Sequence, residues 1–211
     1  MTEIDKQLSD LKQIRQLMER SSKFISLSGL SGISAGVIAL IGAYAARWRI
    51  HDVLDFNNVV SYKAIPSFKV LHSLMYELIG LAIATAILAI GAAVFFTNKK
   101  ASERGESLFD AISIRMITNL AIPLVTGGIF CLFLLQENIS LVAPAMLIFY
   151  GLALINGSRY TVDHIRYLGM AEIVLGLVAG FFPGKGLLFW SMGFGVFHII
   201  YGAVMYFKLE R

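Results

Sequence analysis

The sequence predicts an all-α, polytopic membrane protein: six transmembrane helices arranged as three pseudo-repeated hairpins, with an amphipathic amino-terminal helix. Three observations predict it. Apolar residues make up 57% of the 211-residue chain and charged residues only 15%, with a mean hydropathy of +0.72; soluble domains carry about 25% charge. The apolar excess is gathered into runs of about 20 residues, long enough at about 1.5 Å per residue to cross a ~30 Å hydrocarbon core. Within those runs glycines recur at spacings that let helices approach closely.

Residues 1–23 read as a cytoplasmic amphipathic helix. Ile4, Leu8, Leu11, Ile14 and Leu17 recur every three or four positions and form one stripe. Thr2 and Asp5 fit a variant of the amino-terminal capping box. Mixed acidic and basic residues on the remaining faces disfavour a purely basic lipid-binding helix. The stripe is expected to rest on the protein's own cytoplasmic face, to form a homo-oligomer, or to dock a partner protein. A cleaved leader is not expected, because the apolar run that follows exceeds a signal core in length.

Residues 24–211 read as the six-span bundle. The first span, about 24–46, opens on Ser28, Gly29, Ser31, Gly32, Ser34 and Gly36, small residues suited to close packing. Tyr44 and Trp48 mark its far interface. Residues 47–72 carry mixed charge and Pro66, and read as an ordered loop. The second span covers about 75–97, and residues 98–115 form a polar return segment. The third, about 114–135, contains Pro123, which cannot donate to the carbonyl of Asn119 and so frees it. Gln136, Glu137 and Asn138 turn the chain into the fourth span, about 141–157, where Pro144 is tolerated in the first turn. The fifth and sixth spans, about 167–182 and 187–207, meet at a turn through Phe182, Pro183, Gly184, Lys185 and Gly186.

With six spans and an inner amino terminus, thirteen of the 18 Lys and Arg residues fall in inner segments. The five outer ones are Arg47, Arg49, Lys63, Lys69 and Lys185. The positive-inside rule then predicts a multi-pass protein of the cell inner (cytoplasmic) membrane with both termini in the cytoplasm. This bias accounts for the net charge of +4. The expected partner is the lipid bilayer, and no nucleic acid is expected.

The spans repeat. Gly29, Ile33, Gly36 and Ala39 align without gaps on Gly169, Ile173, Gly176 and Ala179. Gly91 and the apolar residues after it align on Gly202 and its followers, with Gly157 as the third member. At these residues the chain resembles the HdeD-like acid-resistance membrane proteins, whose hairpin has the shape G-x-x-x-I-x-x-G, a turn proline, then spaced glycines. Gly169, Ile173, Gly176, Pro183, Gly193 and Gly202 carry the likeness, which is best over residues 169–202. The third and fourth spans match loosely, and residues 1–23 and 47–72 do not match. The first hairpin departs from the family by its long charged connection. The resemblance implies a six-helix inner-membrane protein linked to stress or acid tolerance, with no catalytic residues to carry over.

Ionisable groups inside spans are expensive and mark functional candidates. Glu172 lies more than a turn inside the fifth span and His198 near the middle of the sixth, with Asn119 and Asn156 at similar inner-leaflet depth. These four form the candidate pocket, either a proton or ion site or a structural hydrogen bond between helices. Glu77, His72 and Tyr76 form a second, weaker cluster near the outer interface. The spacing from His72 to Glu77 does not share one helix face, so no metal site is expected there. His51 and His164 read as solvated loop histidines. The single cysteine, Cys131, reads as a small packing residue. Phosphate-loop, zinc-protease and nucleophile-elbow motifs are absent from the sequence. No cofactor is therefore expected, and an enzyme is the least favoured reading. Three functions stay open: a stress-tolerance membrane protein, a small transporter or channel for a proton, ion or small solute, and a scaffold or sensor docking a partner through residues 1–23.

Overall fold

A computed structural model describes residues 28–60, 68–103, 110–161 and 164–210. The amphipathic stripe of residues 1–23 and Pro66 lie outside these. The described chain is helical almost throughout, as lipid requires of a backbone that must satisfy its own polar groups. Helix α1 runs Gly29–Val60, α2 Phe68–Glu103 and α3 Ala111–Glu137. A 3-10 turn at Ile139–Leu141 leads into α4 (Val142–Gly157), and α5 follows as Ile165–Gly180. The last span combines α6 (Gly186–Trp190), a π-helical stretch (Ser191–Phe197) and α7 (His198–Met205).

This is an all-α polytopic membrane architecture. Five helical segments are long and apolar enough to cross a bilayer: Gly29–Leu54, Lys69–Glu103, Ala111–Glu137, Ile139–Tyr160 and Gly186–Lys208. Helix α5 has 16 residues, a length of about 24 Å, somewhat short of the hydrocarbon core. Asp110 starts α3 by accepting a hydrogen bond from the Ser113 N–H at 2.7 Å, which satisfies one of the helix's free donors.

Over the described residues 47–60 and 68–72 the expected loop is helical instead. Helix α1 continues through residue 60 and α2 begins at Phe68, so His51 is helical rather than a loop residue. Charge ends a membrane span without ending a helix, and no breaker stands between Arg47 and Val60. Helices of 32 and 36 residues measure about 48 and 54 Å, well beyond a ~30 Å core. Their charged ends pair instead: Arg49 donates to Glu77 Oε2 at 2.7 Å and to Asp52 Oδ2 at 2.5 Å.

Packing places small residues inside and large ones outside. Ala39, Ala43, Ala145, Ala153 and Ala179 are buried, while Ile87, Phe95, Ile129, Val174 and Phe181 are more than half exposed. Such an apolar exterior suits lipid, not water. Helix α2 packs on α1, α1 on the last span, α3 on α4, and α4 on α5.

Two of these contacts bring backbones together. A Cβ at Gly29 would stand 2.5 Å from the Gly202 carbonyl, and one at Gly36 2.6 Å from that of Gly195. On α5, a Cβ at Gly169 would stand 2.7 Å from the Gly151 carbonyl, and one at Gly176 2.9 Å from that of Pro144. The two seams are equivalent, which corrects the repeat register: Gly151, not Gly157, is the counterpart of Gly202. Gly157 faces the Leu120 side chain. Ile148, Tyr150 and Gly151 on α4 accordingly match Ile199, Tyr201 and Gly202 on α7.

Candidate functional site

The glycine seam between α4 and α5 sets Glu172 at the centre of the bundle, on the face turned to the last span. Glu172 is 0% exposed. A Cβ at Gly193 would overlap both its Oε2 and Leu147 Cδ2, so the absent side chain at Gly193 is the space the carboxyl fills. His198 Nδ1 lies 3.6 Å from Glu172 Oε1. The expected meeting of these two residues is realised.

The hydrogen bonds of His198 fix the place of one ring hydrogen. Its Nδ1 is 3.0 Å from the Gly193 carbonyl, which can only accept, so Nδ1 carries a hydrogen and donates it. In the neutral imidazole Nε2 is then an acceptor, and the Tyr150 hydroxyl, 2.6 Å away, donates to it. Rings enclose the pair: Tyr150 and Phe194 have centroids 4.9 Å apart, Phe194 stacks on His198 at 6.1 Å, and Trp190 lies 5.1 Å from Phe194. Both Glu172 oxygens are without a hydrogen-bond partner among the described residues. The 3.6 Å approach to His198 is therefore an ion-pair distance without a hydrogen bond, because the Nδ1 hydrogen is committed to Gly193.

Charge balance follows from this geometry. With a neutral imidazole, an ionised Glu172 would be an unpaired buried charge, at a cost of several kcal/mol. An ionised Glu172 beside that neutral imidazole would need one positive charge. A proton on the carboxyl, a proton on the imidazole or a small cation would supply it.

Asn119 and Asn156 meet each other rather than Glu172. Asn156 Nδ2 donates to the Asn119 carbonyl at 2.7 Å, the carbonyl that Pro123 leaves free. Asn119 turns its own amide back to the Arg115 carbonyl at 2.8 Å. The four-residue pocket thus resolves into two pairs, because Asn156 sits on the α4 face toward α3 and Glu172 on the α5 face toward the last span. A groove beside the asparagine pair is lined by Pro123, Thr126, Phe149, Leu152, Asn156 and Arg159. Asn156→Ala is expected to lower the unfolding midpoint in detergent, costing about 1–2 kcal/mol for a carbonyl left without its donor; an unchanged midpoint would show that water replaces the amide at no cost.

The second cluster is an exposed ion-pair network. Glu77 also accepts from Ser73 Oγ at 3.5 Å, and the Arg49 and Glu77 side chains are 37% and 43% exposed, so solvent screens their pairing. His72 and Tyr76 rings lie 6.3 Å apart. Among the described residues no three His, Cys, Asp or Glu side chains gather as a metal site. Cys131 is buried with Leu134 and Ala145. His164 precedes α5 directly.

Sequence reasoning missed Tyr150, the space that Gly193 leaves for Glu172, and the Arg49–Glu77 pair. The repeated Ile-x-Tyr-Gly at 148–151 and 199–202 was the available signal for Tyr150. Compared with known proteins, the chain matches no family model, no curated protein and no solved structure.

Proposed function

We propose that this chain is a non-enzymatic inner-membrane protein, both termini cytoplasmic, that takes up a proton at Glu172, His198 and Tyr150 as part of tolerance to acid or related stress. One observation carries the reading: a fully buried carboxyl, without a hydrogen-bond donor among the described residues, 3.6 Å from an imidazole whose hydrogen is already placed. The π-helical stretch directly before His198 supports a site under functional constraint, since such distortions concentrate at functional positions. The HdeD-like shape of residues 169–202 supports the stress-tolerance part.

Trp190 provides a native reporter, since it contacts Phe194, which stacks on His198. With Trp48, the only other tryptophan, replaced by Phe, its emission in nanodiscs is expected to titrate with a single transition. Glu172→Gln is expected to abolish or displace that transition. A flat profile, or one indifferent to the substitution, would end the proton-site reading.

A second reading, proton or cation transport, is favoured by the line of Tyr150, His198 and Glu172 across α4, α7 and α5 at 2.6 and 3.6 Å. Flux through liposomes under an imposed pH gradient, lost in Glu172→Gln, would select it. Absence of flux in the unmodified protein would leave proton binding alone.

A further inference from the structure

The groove between α3 and α4 changes character along its length, and the change matches an amphiphile. Its volume is about 380 Å³, within the range of ligand sites. Phe149 and Arg159, which line its two ends on the α4 side, are separated by a rise of about 15 Å. Phe149, Leu152 and Ile155 supply an apolar body, with Pro123 and Thr126 from α3. The Thr126 hydroxyl is already spent on the Ile122 carbonyl at 2.9 Å. Asn156 and Arg159 make the other end polar and cationic, where the span closes at Tyr160. Asn156 uses one amide hydrogen on the Asn119 carbonyl at 2.7 Å and has a second to offer.

A second cation stands at the same end. Arg115 lies one turn before Asn119 and accepts its amide at 2.8 Å through the backbone carbonyl. Helix α3 also packs on the 3-10 turn Ser158–Tyr160 that carries Arg159. Both arginines are exposed, and neither forms an ion pair among the described residues. Asp110, the described carboxylate nearest Arg115 in the chain, is engaged in capping α3 through Ser113. Two unpaired guanidinium groups at the edge of a span call for an anion, and their forked donors suit phosphate. A free anion would leave the apolar body of the groove unused. A zwitterionic lipid would bring its own ammonium up to the two arginines. We propose that the α3/α4 groove binds an anionic glycerophospholipid, with its phosphate at Arg159 and Arg115 and an acyl chain along Leu152 and Phe149.

The test uses the full chain in vesicles, with Trp48 and Trp190 replaced by Phe and one reporter introduced by Leu152→Trp, at a groove position already 42% exposed. The vesicles mix phosphatidylcholine and phosphatidylglycerol, with brominated acyl chains on one lipid or the other. Brominated phosphatidylglycerol is expected to quench the reporter as though enriched about fivefold over its share of the bilayer, the preference supplied by about one arginine contact. Ile87→Trp, on the exposed face of α2, is expected to follow bulk composition. Arg115→Gln with Arg159→Gln should remove the enrichment, whereas Arg159→Lys, which keeps the charge, should retain it. Quenching of the groove reporter in proportion to composition would overturn the proposal in favour of bulk lipid. Weak quenching by either lipid would overturn it in favour of cover by protein, and enrichment that outlasts both arginines would overturn it equally.

Discussion

Gly202→Val is expected to abolish recovery of the folded bundle. A Cβ at Gly202 would stand 2.5 Å from the Ile33 nitrogen, 2.6 Å from the Gly29 carbonyl oxygen and 2.9 Å from the Gly32 carbonyl carbon. All three are backbone atoms, so no side-chain rotation relieves the clash. The α1/α7 seam must open, and the contacts made by Gly29 and Gly36 are lost with it. Overpacking typically costs 1–3 kcal/mol, and a rigid backbone wall on three sides puts this case at about 3 kcal/mol or more. Gly91→Val supplies the contrast, since its counterpart position meets no described neighbour and the monomer should tolerate it. Monodisperse yield and thermal midpoint in detergent measure both. Equal behaviour of the two variants would show that the seam is misplaced.

Glu172→Leu is expected to raise the unfolding midpoint by several degrees while flattening the Trp190 titration. Replacing a buried ionisable group by an apolar one of similar volume is often neutral or stabilising by 1–4 kcal/mol. Glu172 is well suited to such a gain, because among the described residues it makes no hydrogen bond that leucine would forfeit. His198 keeps its bonds to Gly193 and Tyr150. Were Glu172 a structural link between helices, the same change would lower the midpoint. Higher stability together with loss of the response would mark a residue retained for function at the expense of stability.

Much of this architecture was legible in the residues themselves. The third and fourth spans fall close to their expected limits, because a capping aspartate, the Glu137–Asn138 turn and Pro144 punctuate them. Pro123 correctly announced a free carbonyl at Asn119, and the depths of Glu172 and His198 announced their meeting. What escaped was of two kinds. Charged residues 47–60 looked like a loop because hydropathy reports where lipid ends, whereas helix continuation depends on the absence of breakers and on partners such as Glu77 across the hairpin. Tyr150 and the role of Gly193 escaped because they depend on three-dimensional neighbours: one is an ordinary tyrosine in an aromatic-rich span, and the other was read as a motif glycine without its neighbour Glu172. The repeat was visible but one register was wrong, since Gly151 and Gly157 both follow apolar runs and only backbone contact separates them.

The most direct measurement is infrared difference spectroscopy of the protein in lipid across a pH step, with and without Glu172→Gln. A carboxyl shielded from water and free of hydrogen-bond donors should show a carboxylic-acid C=O band at high frequency, shifted in heavy water and missing from the variant. Its intensity should change together with the Trp190 emission. A spectrum with no such band at any pH, or a band that survives Glu172→Gln, would contradict the interior proton site.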